Sequence, residues 1–166
     1  MTRTAAIIVP KGESAQELLA TFAMTLKAQG VRLGGSVQRT ERDAEGTITG
    51  MELIDVHSGE RLIIDQKLGK EAACAINPHA MSQASVTLRQ AIESGCQLLI
   101  VNKFAHLEAA GDGLADEIML AMAEEVPVLV AVPEKYKEAW LRFCGGSCDQ
   151  IAPDMALLMA WWESQP

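Results

Sequence analysis

A short apolar run that empties into a polar, glycine-bearing loop and then into a helix constrains this chain more than any other feature. It occupies residues 97–125, QLLIVNKFAHLEAAGDGLADEIMLAMAEE. Residues 98–101 (LLIV) are too few for a helix of their own and branched enough to form a strand buried on both faces. Leu114, Ile118, Ala121, Met122 and Val126 recur at near-helical spacing, so a helix follows. The loop between them, residues 102–113, carries Lys103, His106, Glu108 and Asp112. An open α/β sheet takes its ligands in the crevice beyond the carboxyl ends of its strands. This loop is therefore expected to supply one half of any site.

The flanking sequence has the same organisation. Residues 5–9 form a second apolar run, followed by PKGES and by Leu18, Leu19, Phe22, Ala23 and Leu26 on one helical face, with Gly30 placed to end that helix. Residues 31–38 begin an extended piece, and residues 36–50, which include RTERDAEG, predict an exposed, solvated connection. Residues 51–56 and 61–64, separated by His57, Ser58, Gly59 and Glu60, predict a hairpin and hence an antiparallel pair at the sheet edge. Residues 65–77 give no clear element. Pro78 behind Asn77 predicts a helix start with Asn77 as cap, and Met81, Ala84, Leu88 and Ile92 mark its buried face. Downstream, residues 126–132 predict a strand, 134–143 a short helix and 144–148 a turn. Met155, Leu158, Met159 and Trp162 predict a last helix opened by Pro153 and Asp154. Strands alternating with helices, with one hairpin, predict a three-layer α/β domain with a mainly parallel sheet. No internal repeat appears, and 166 residues suit a single domain over 1–166.

A net charge of −8 argues against a nucleic-acid reader, whose affinity comes mainly from basic groups neutralising phosphates. The N-terminal MTRTAAIIVPKG is too short in apolar residues for a signal-peptide core or a membrane span, so a cytoplasmic protein with no membrane insertion is expected. Cys74, Cys96, Cys144 and Cys148 are few and irregularly spaced, which suits free thiols in a reducing compartment.

The first loop, Val9-Pro10-Lys11-Gly12-Glu13-Ser14-Ala15-Gln16, lies between a strand and a helix, where backbone N–H groups and the helix dipole meet an anion in phosphate-binding loops. Such a loop needs a glycine-rich turn ending in Gly-Lys-Ser/Thr. Here Gly12 is the only glycine, Ala15 and Gln16 stand in the places of the Lys and the hydroxyl, and Glu13 adds negative charge. As a triphosphate cradle the loop is degenerate.

The order of elements, the VHSGERL hairpin and the strand-end loop ending in Glu108 resemble the small nucleoside-triphosphatase family of the P-loop class, over roughly residues 5–135. The stretch LLIVNKFAHLEAAGDGLADEI also resembles a bacterial family of such folds whose members are often encoded beside molybdate-transport genes. Asn102, Lys103, Phe104, Glu108, Gly111 and Gly113 match that family's pattern, as do Pro133, Trp140, Phe143, Gly145 and Gly146. The resemblance implies a P-loop NTPase-like fold with a crevice between Lys11, Gly12 and Ser14 on one side and Asn102, Lys103, Glu108, Gly111 and Gly113 on the other. In the active triphosphatases the central strand ends in Asp-Glu, for magnesium and for a water; Asn102 and Lys103 stand in those places. A neutral amide is a poor magnesium ligand and a Lys is no carboxylate base, so hydrolysis is not carried over and magnesium is a doubtful cofactor.

Several residues have competing readings. Lys103 either draws an anion into the crevice or pairs on the surface with Glu108 or Glu13. Asn102 is expected to bond loop backbone, and Phe104 to plug the core rather than to stack on a ligand. His106 with Glu108 suggests a proton-transfer or metal pair, but His57 and His79 have no ligand-like spacing to it, so no metal site is assigned. Gly111 and Gly113 serve a turn into the helix, with Asp112 as its cap, or an anion nest. Cys144 and Cys148 neither complete a zinc site nor match the thioredoxin spacing, so structural or incidental thiols are expected. Trp161 and Trp162 cannot both face one core, and the exposed one is a candidate contact for a homodimer or another protein partner.

The leading expectation is a catalytically degenerate P-loop-like domain that binds a small anionic ligand, a nucleotide or an oxyanion, in an accessory or regulatory role. The resemblance adds molybdenum handling. Two alternatives stand beside it: an active nucleoside-triphosphatase with a rearranged site, and a non-catalytic protein-interaction module.

Overall fold

The computed structural model describes residues 3–63, 65–66, 75–76 and 78–166. Strand β1 (Thr4–Val9) leads into α1 (Gln16–Ala28), then β2 (Leu33–Arg42), β3 (Ile48–Asp55) and β4 (Arg61–Ile63). A two-residue pair, β5 (Asp65–Gln66) with β6 (Ala75–Ile76), stands apart from the main sheet. Next come α2 (Pro78–Glu93), β7 (Leu98–Val101), α3 (His106–Ala109), α4 (Ala115–Ala123) and β8 (Val128–Pro133). A 3-10 turn (Glu134–Tyr136), α5 (Lys137–Phe143), β9 (Asp149–Ile151) and α6 (Met155–Glu163) complete the chain.

The main sheet has seven strands in the order β4-β3-β2-β7-β8-β1-β9. The neighbours from β2 to β9 run parallel, and β2-β3 and β3-β4 are antiparallel. The period-2 alternation of the central strands sorts their side chains between two layers. Ala5, Ile7, Leu98, Ile100, Leu129 and Ala131 face α1 and α6, where Phe22, Leu26, Leu158 and Trp161 are buried. Ala6, Leu99, Val101, Val128, Val130 and Val132 face the opposite layer, where Ala84, Leu88, Ile118 and Trp140 are buried. The fold is thus a three-layer α/β architecture, mostly parallel with an antiparallel edge, consistent with the P-loop-like class. Between α2 and α4, the buried Glu117 carboxylate takes Arg89 Nε at 3.0 Å and the Ser85 hydroxyl. Among the described residues no helix is long and apolar enough to cross a membrane.

The central strands, the β3-β4 hairpin, Gly30 at the end of α1 and Asp154 at the start of α6 stand where the sequence places them. Gly30 has φ of +84°, and the Asp154 carboxylate accepts the Leu157 N–H. Two expectations are corrected, and one further strand lacks a sequence signal. Residues 36–50 are not a connection: β2 runs on to Arg42 and pairs with β3 from Ser36↔Asp55 to Arg42↔Ile48, leaving only a short turn at Asp43. There the Asp43 carboxylate accepts the Glu45 and Thr47 N–H groups at 2.9 Å. Cross-strand backbone pairing overrides the polar composition at a sheet edge, where one face can be solvated. Strand β9 is silent in the sequence because three residues with only Ile151 buried carry little pattern. Asp112 does not cap α4 with its side chain; its backbone carbonyl accepts the Ala115 N–H instead. The expected Asn77 cap, the end of the second hairpin strand at Ile64, and Cys74 lie outside the described residues.

Candidate functional site

The parallel strands place a crevice where their connections diverge. β1 and β8 are neighbours in register from Thr4↔Val128 to Val9↔Pro133, so they end level. From there β1 feeds α1 in one layer and β8 feeds α5 in the other. Divergence of this kind opens a cleft between the two exits. A cleft of about 940 Å³ occupies it, lined by Lys11, Gly12 and Ser14 from the first loop and by Asn102 and Lys103 from the end of β7. The 3-10 turn after β8 adds Glu134 and Lys135, and the far end of β2 adds Thr40 and Arg42. Five of the eight residues singled out in the sequence therefore share one cavity.

Each wall has a local cause. The first loop closes as a reverse turn, with Glu13 N–H donating to the Pro10 carbonyl at 3.0 Å and Gly12 at the φ of +82° that the turn requires. Ser14 Oγ then accepts the Gln16 N–H at 3.2 Å and covers one donor of the α1 terminus. On the other wall, the Phe104 N–H, three residues beyond the end of β7, reaches the Ala131 carbonyl at 2.9 Å. That bond holds residues 102–104 against β8. Phe104 turns fully inward, edge-on to Trp140 at 5.2 Å and beside Phe143, and so acts as the core plug. With Phe104 anchored, Lys103 stands exposed at the rim.

A chain of neutral side chains crosses the floor. Asn102 Nδ2 donates to Gln38 Oε1 at 2.7 Å, Gln38 Nε2 donates to Thr40 Oγ1 at 3.2 Å, and Thr40 Oγ1 donates to Gln16 Oε1 at 3.0 Å. Gln38 is buried, so the chain fixes the separation between the end of β7 and the start of α1. Asn102 bonds this side chain, in place of the loop backbone expected of it. Gln38 and Thr40 carried no sequence signal, because they fall in the stretch read as a solvated connection. The resemblance puts Gln16 and Asn102 at the places where an active P-loop enzyme holds magnesium. Both are neutral amides where magnesium favours carboxylate oxygens in octahedral geometry, and the Gln16 amide oxygen already accepts the Thr40 hydroxyl. Among the described residues no group of three or more His, Cys, Asp and Glu stands ready to hold a metal.

The cleft's charge departs from that of the chain. Lys11, Arg42, Lys103 and Lys135 line it against Glu13, Glu17 and Glu134, four basic groups to three acidic, in a protein of net charge −8. Among the described residues the ion pairs are Arg39–Glu41, Arg61–Glu52 and Arg89–Glu117, so neither Lys11 nor Lys103 is neutralised by a carboxylate there.

Glu108, Gly111 and Gly113 do not line this cleft. Glu108 is 6% exposed, and its carboxylate accepts the Ala105 N–H at 3.0 Å and the Leu114 N–H at 3.1 Å. It pins the loop from inside, and the Ala105 contact is one half of a capping box. Gly113 is held by the same carboxylate, since a Cβ there would overlap Glu108 Oε2. Gly111, at φ of +86°, turns the chain and donates to the Glu108 carbonyl at 3.1 Å. His106 is exposed while Glu108 is buried, so the two form no proton-transfer pair.

The sequence model of a family described as "Protein of unknown function (DUF2478)" matches residues 4–161. A protein of Bradyrhizobium diazoefficiens (strain USDA 110) named "Molybdenum import ATP-binding protein ModC 2" is 42% identical over 162 residues, 97% of this chain and 18% of that protein. The chain therefore spans less than a fifth of the length of this relative. No solved structure matches the chain significantly.

Proposed function

The chain belongs to the family described as "Protein of unknown function (DUF2478)", and we propose that it is one P-loop-like domain whose strand-end cleft binds a small oxyanion group without a metal ion. The observation that carries this reading is that Lys11 and Lys103 line one cleft with no carboxylate ion-pair partner among the described residues. A cation without a partner in a concave, partly desolvated site attracts an anion more strongly than one on open surface. The neutral chain from Asn102 to Gln16 adds hydroxyl and amide groups without adding negative charge.

The same reading makes the domain catalytically degenerate. Hydrolysis of a triphosphate needs charge neutralisation at the phosphates and a residue to orient the water. Amides stand in the metal positions, and the loop's one buried carboxylate, Glu108, is committed to two backbone N–H groups. An accessory or regulatory role follows. The relative's printed name joins ATP binding with molybdenum import, which makes a nucleotide phosphate and molybdate the two sources of the same oxyanion chemistry to test first.

A thermal-shift screen of phosphate, sulfate, molybdate, tungstate, ATP and GTP, each with and without magnesium, tests the proposal. At a ligand concentration of about 100 times Kd, binding raises stability by about 2.7 kcal/mol. An upward shift that does not need magnesium is expected. A shift seen only with magnesium, or none with any of these anions, would reject it.

A further inference from the structure

We infer that Cys144 and Cys148 form a dithiol site that closes to an intrachain disulfide by exchange with a small-molecule disulfide of the glutathione class. Cys144 ends α5 and Cys148 precedes β9, and the turn between them brings their Sγ atoms to 2.8 Å. A disulfide bond is about 2.05 Å long, so closing it takes a sub-ångström approach. The turn is fixed by Gly146 N–H donating to the Leu141 carbonyl at 2.9 Å and Ser147 N–H to the Cys144 carbonyl at 3.2 Å. Gly145 and Gly146 both have positive φ, at +64° and +74°, with open space where a Cβ would sit. The residues between the thiols thus hold them together without crowding the approach.

The surroundings assign the order of events. Cys148 is half-buried and Cys144 buried, so an incoming disulfide meets Cys148 first. Trp140 Nε1 donates to Cys148 Sγ at 3.1 Å and orients it. Cys148 Sγ, losing its proton, attacks one sulfur of glutathione disulfide; the S–S bond breaks and one glutathione leaves as thiolate. Cys144 Sγ, also deprotonated, then attacks Cys148 Sγ in the mixed disulfide and expels the second glutathione. Two protein thiols are oxidised to one disulfide, one glutathione disulfide is reduced to two glutathiones, and the two protons end on those thiols. Burial, the adjoining Cys144 thiol and the nearby Asp149 charge push the Cys148 thiol up to about 12. The thiolate is therefore scarce at neutral pH, and the exchange accelerates with alkali. A metal role lacks support, since among the described residues no third ligand completes a cluster. The site does not depend on anion binding in the strand-end cleft.

The test is to incubate the full chain with glutathione disulfide, quench with a thiol alkylator under denaturing conditions, and map the cysteines by mass spectrometry. We expect a Cys144–Cys148 linkage, two hydrogens lighter, that dithiothreitol reverses and that forms about tenfold faster per pH unit above neutrality. A Cys144→Ser variant should instead retain one glutathione on Cys148, because nothing resolves the mixed disulfide. Recovery of both cysteines alkylated, of a separate glutathione on each, or of either one joined to Cys74 or Cys96 would overturn the inference. A Cys144→Ser protein that takes no glutathione at Cys148 would overturn the assignment of the attacking thiol.

Discussion

Replacing Glu108 by Ala separates a structural carboxylate from a catalytic one. In the native loop its two oxygens accept the Ala105 and Leu114 N–H groups at 3.0 and 3.1 Å, and Leu114 is only 4% exposed. Truncation leaves both donors without acceptors, and water cannot easily reach the second. An unsatisfied buried N–H costs about 1–3 kcal/mol. Ala105 is partly exposed and recovers some solvation, and removing a buried charge relieves its own desolvation. The expected net loss is about 3 kcal/mol. Glu108→Gln keeps one acceptor but turns its amide N–H₂ against the other donor, so about half that loss is expected. Urea unfolding checks both values, with an unchanged m-value showing that the same surface is exposed in each protein. A Glu108→Ala protein within about 0.5 kcal/mol of wild type, the usual range for surface changes, would refute the pinning role. Retained stability together with lost anion binding would return Glu108 to the ligand site.

Gly35→Ala should cost more than about 3 kcal/mol or prevent folding, measured by soluble yield and urea unfolding, because the new Cβ would overlap the Ile100 carbonyl oxygen at a φ of +98°. Asn102→Asp should weaken oxyanion binding about tenfold or more by calorimetry, because a new negative charge lining the same cleft repels the anion by more than about 1 kcal/mol at an effective dielectric of about 20; tighter binding that requires magnesium would contradict the neutral-floor reading. Stability should also fall as pH rises from about 9 toward 12. Burial pushes the Cys148 thiol up to about 12 in the folded chain from its ordinary 9.0, so the unfolded chain alone loses the proton across that window. Denaturant midpoints at pH 8.5 and 10.5 should converge in a Cys148→Ser variant, and an equal fall in both proteins would rule out this thiol as the cause.

The parts of the fold legible in the sequence were those in which a local pattern and a tertiary role coincide. Leu98, Leu99, Ile100 and Val101 are all fully buried, as an apolar run bounded by turn residues implies. The β2-β3 ribbon was not legible because Arg39, Thr40, Glu41 and Arg42 are polar on a sheet edge, where pairing is set by a distant strand. Missing that ribbon also hid Gln38 and Thr40, half of the polar floor. Glu108 shows the converse limit. Its spacing from Ala105 fits a capping contact as well as a ligand role, and only the inward turn of the loop decides between them. That Lys11 and Lys103 line one cleft rests on register: β1 and β8 end level, and the Phe104–Ala131 bond carries residues 102–104 alongside.

The central claim, a metal-independent anion site between the first loop and the end of β7, is tested most directly by isothermal titration of the best-shifting anion into wild type and Lys103→Ala. Each titration is run with magnesium and with a chelator. The account predicts binding to wild type that is unchanged by the chelator, and a loss of at least tenfold in Lys103→Ala, since a hydrogen bond from a charged donor contributes about 1.5–3 kcal/mol. Equal affinity in the two proteins, or binding to wild type that the chelator abolishes, would contradict it.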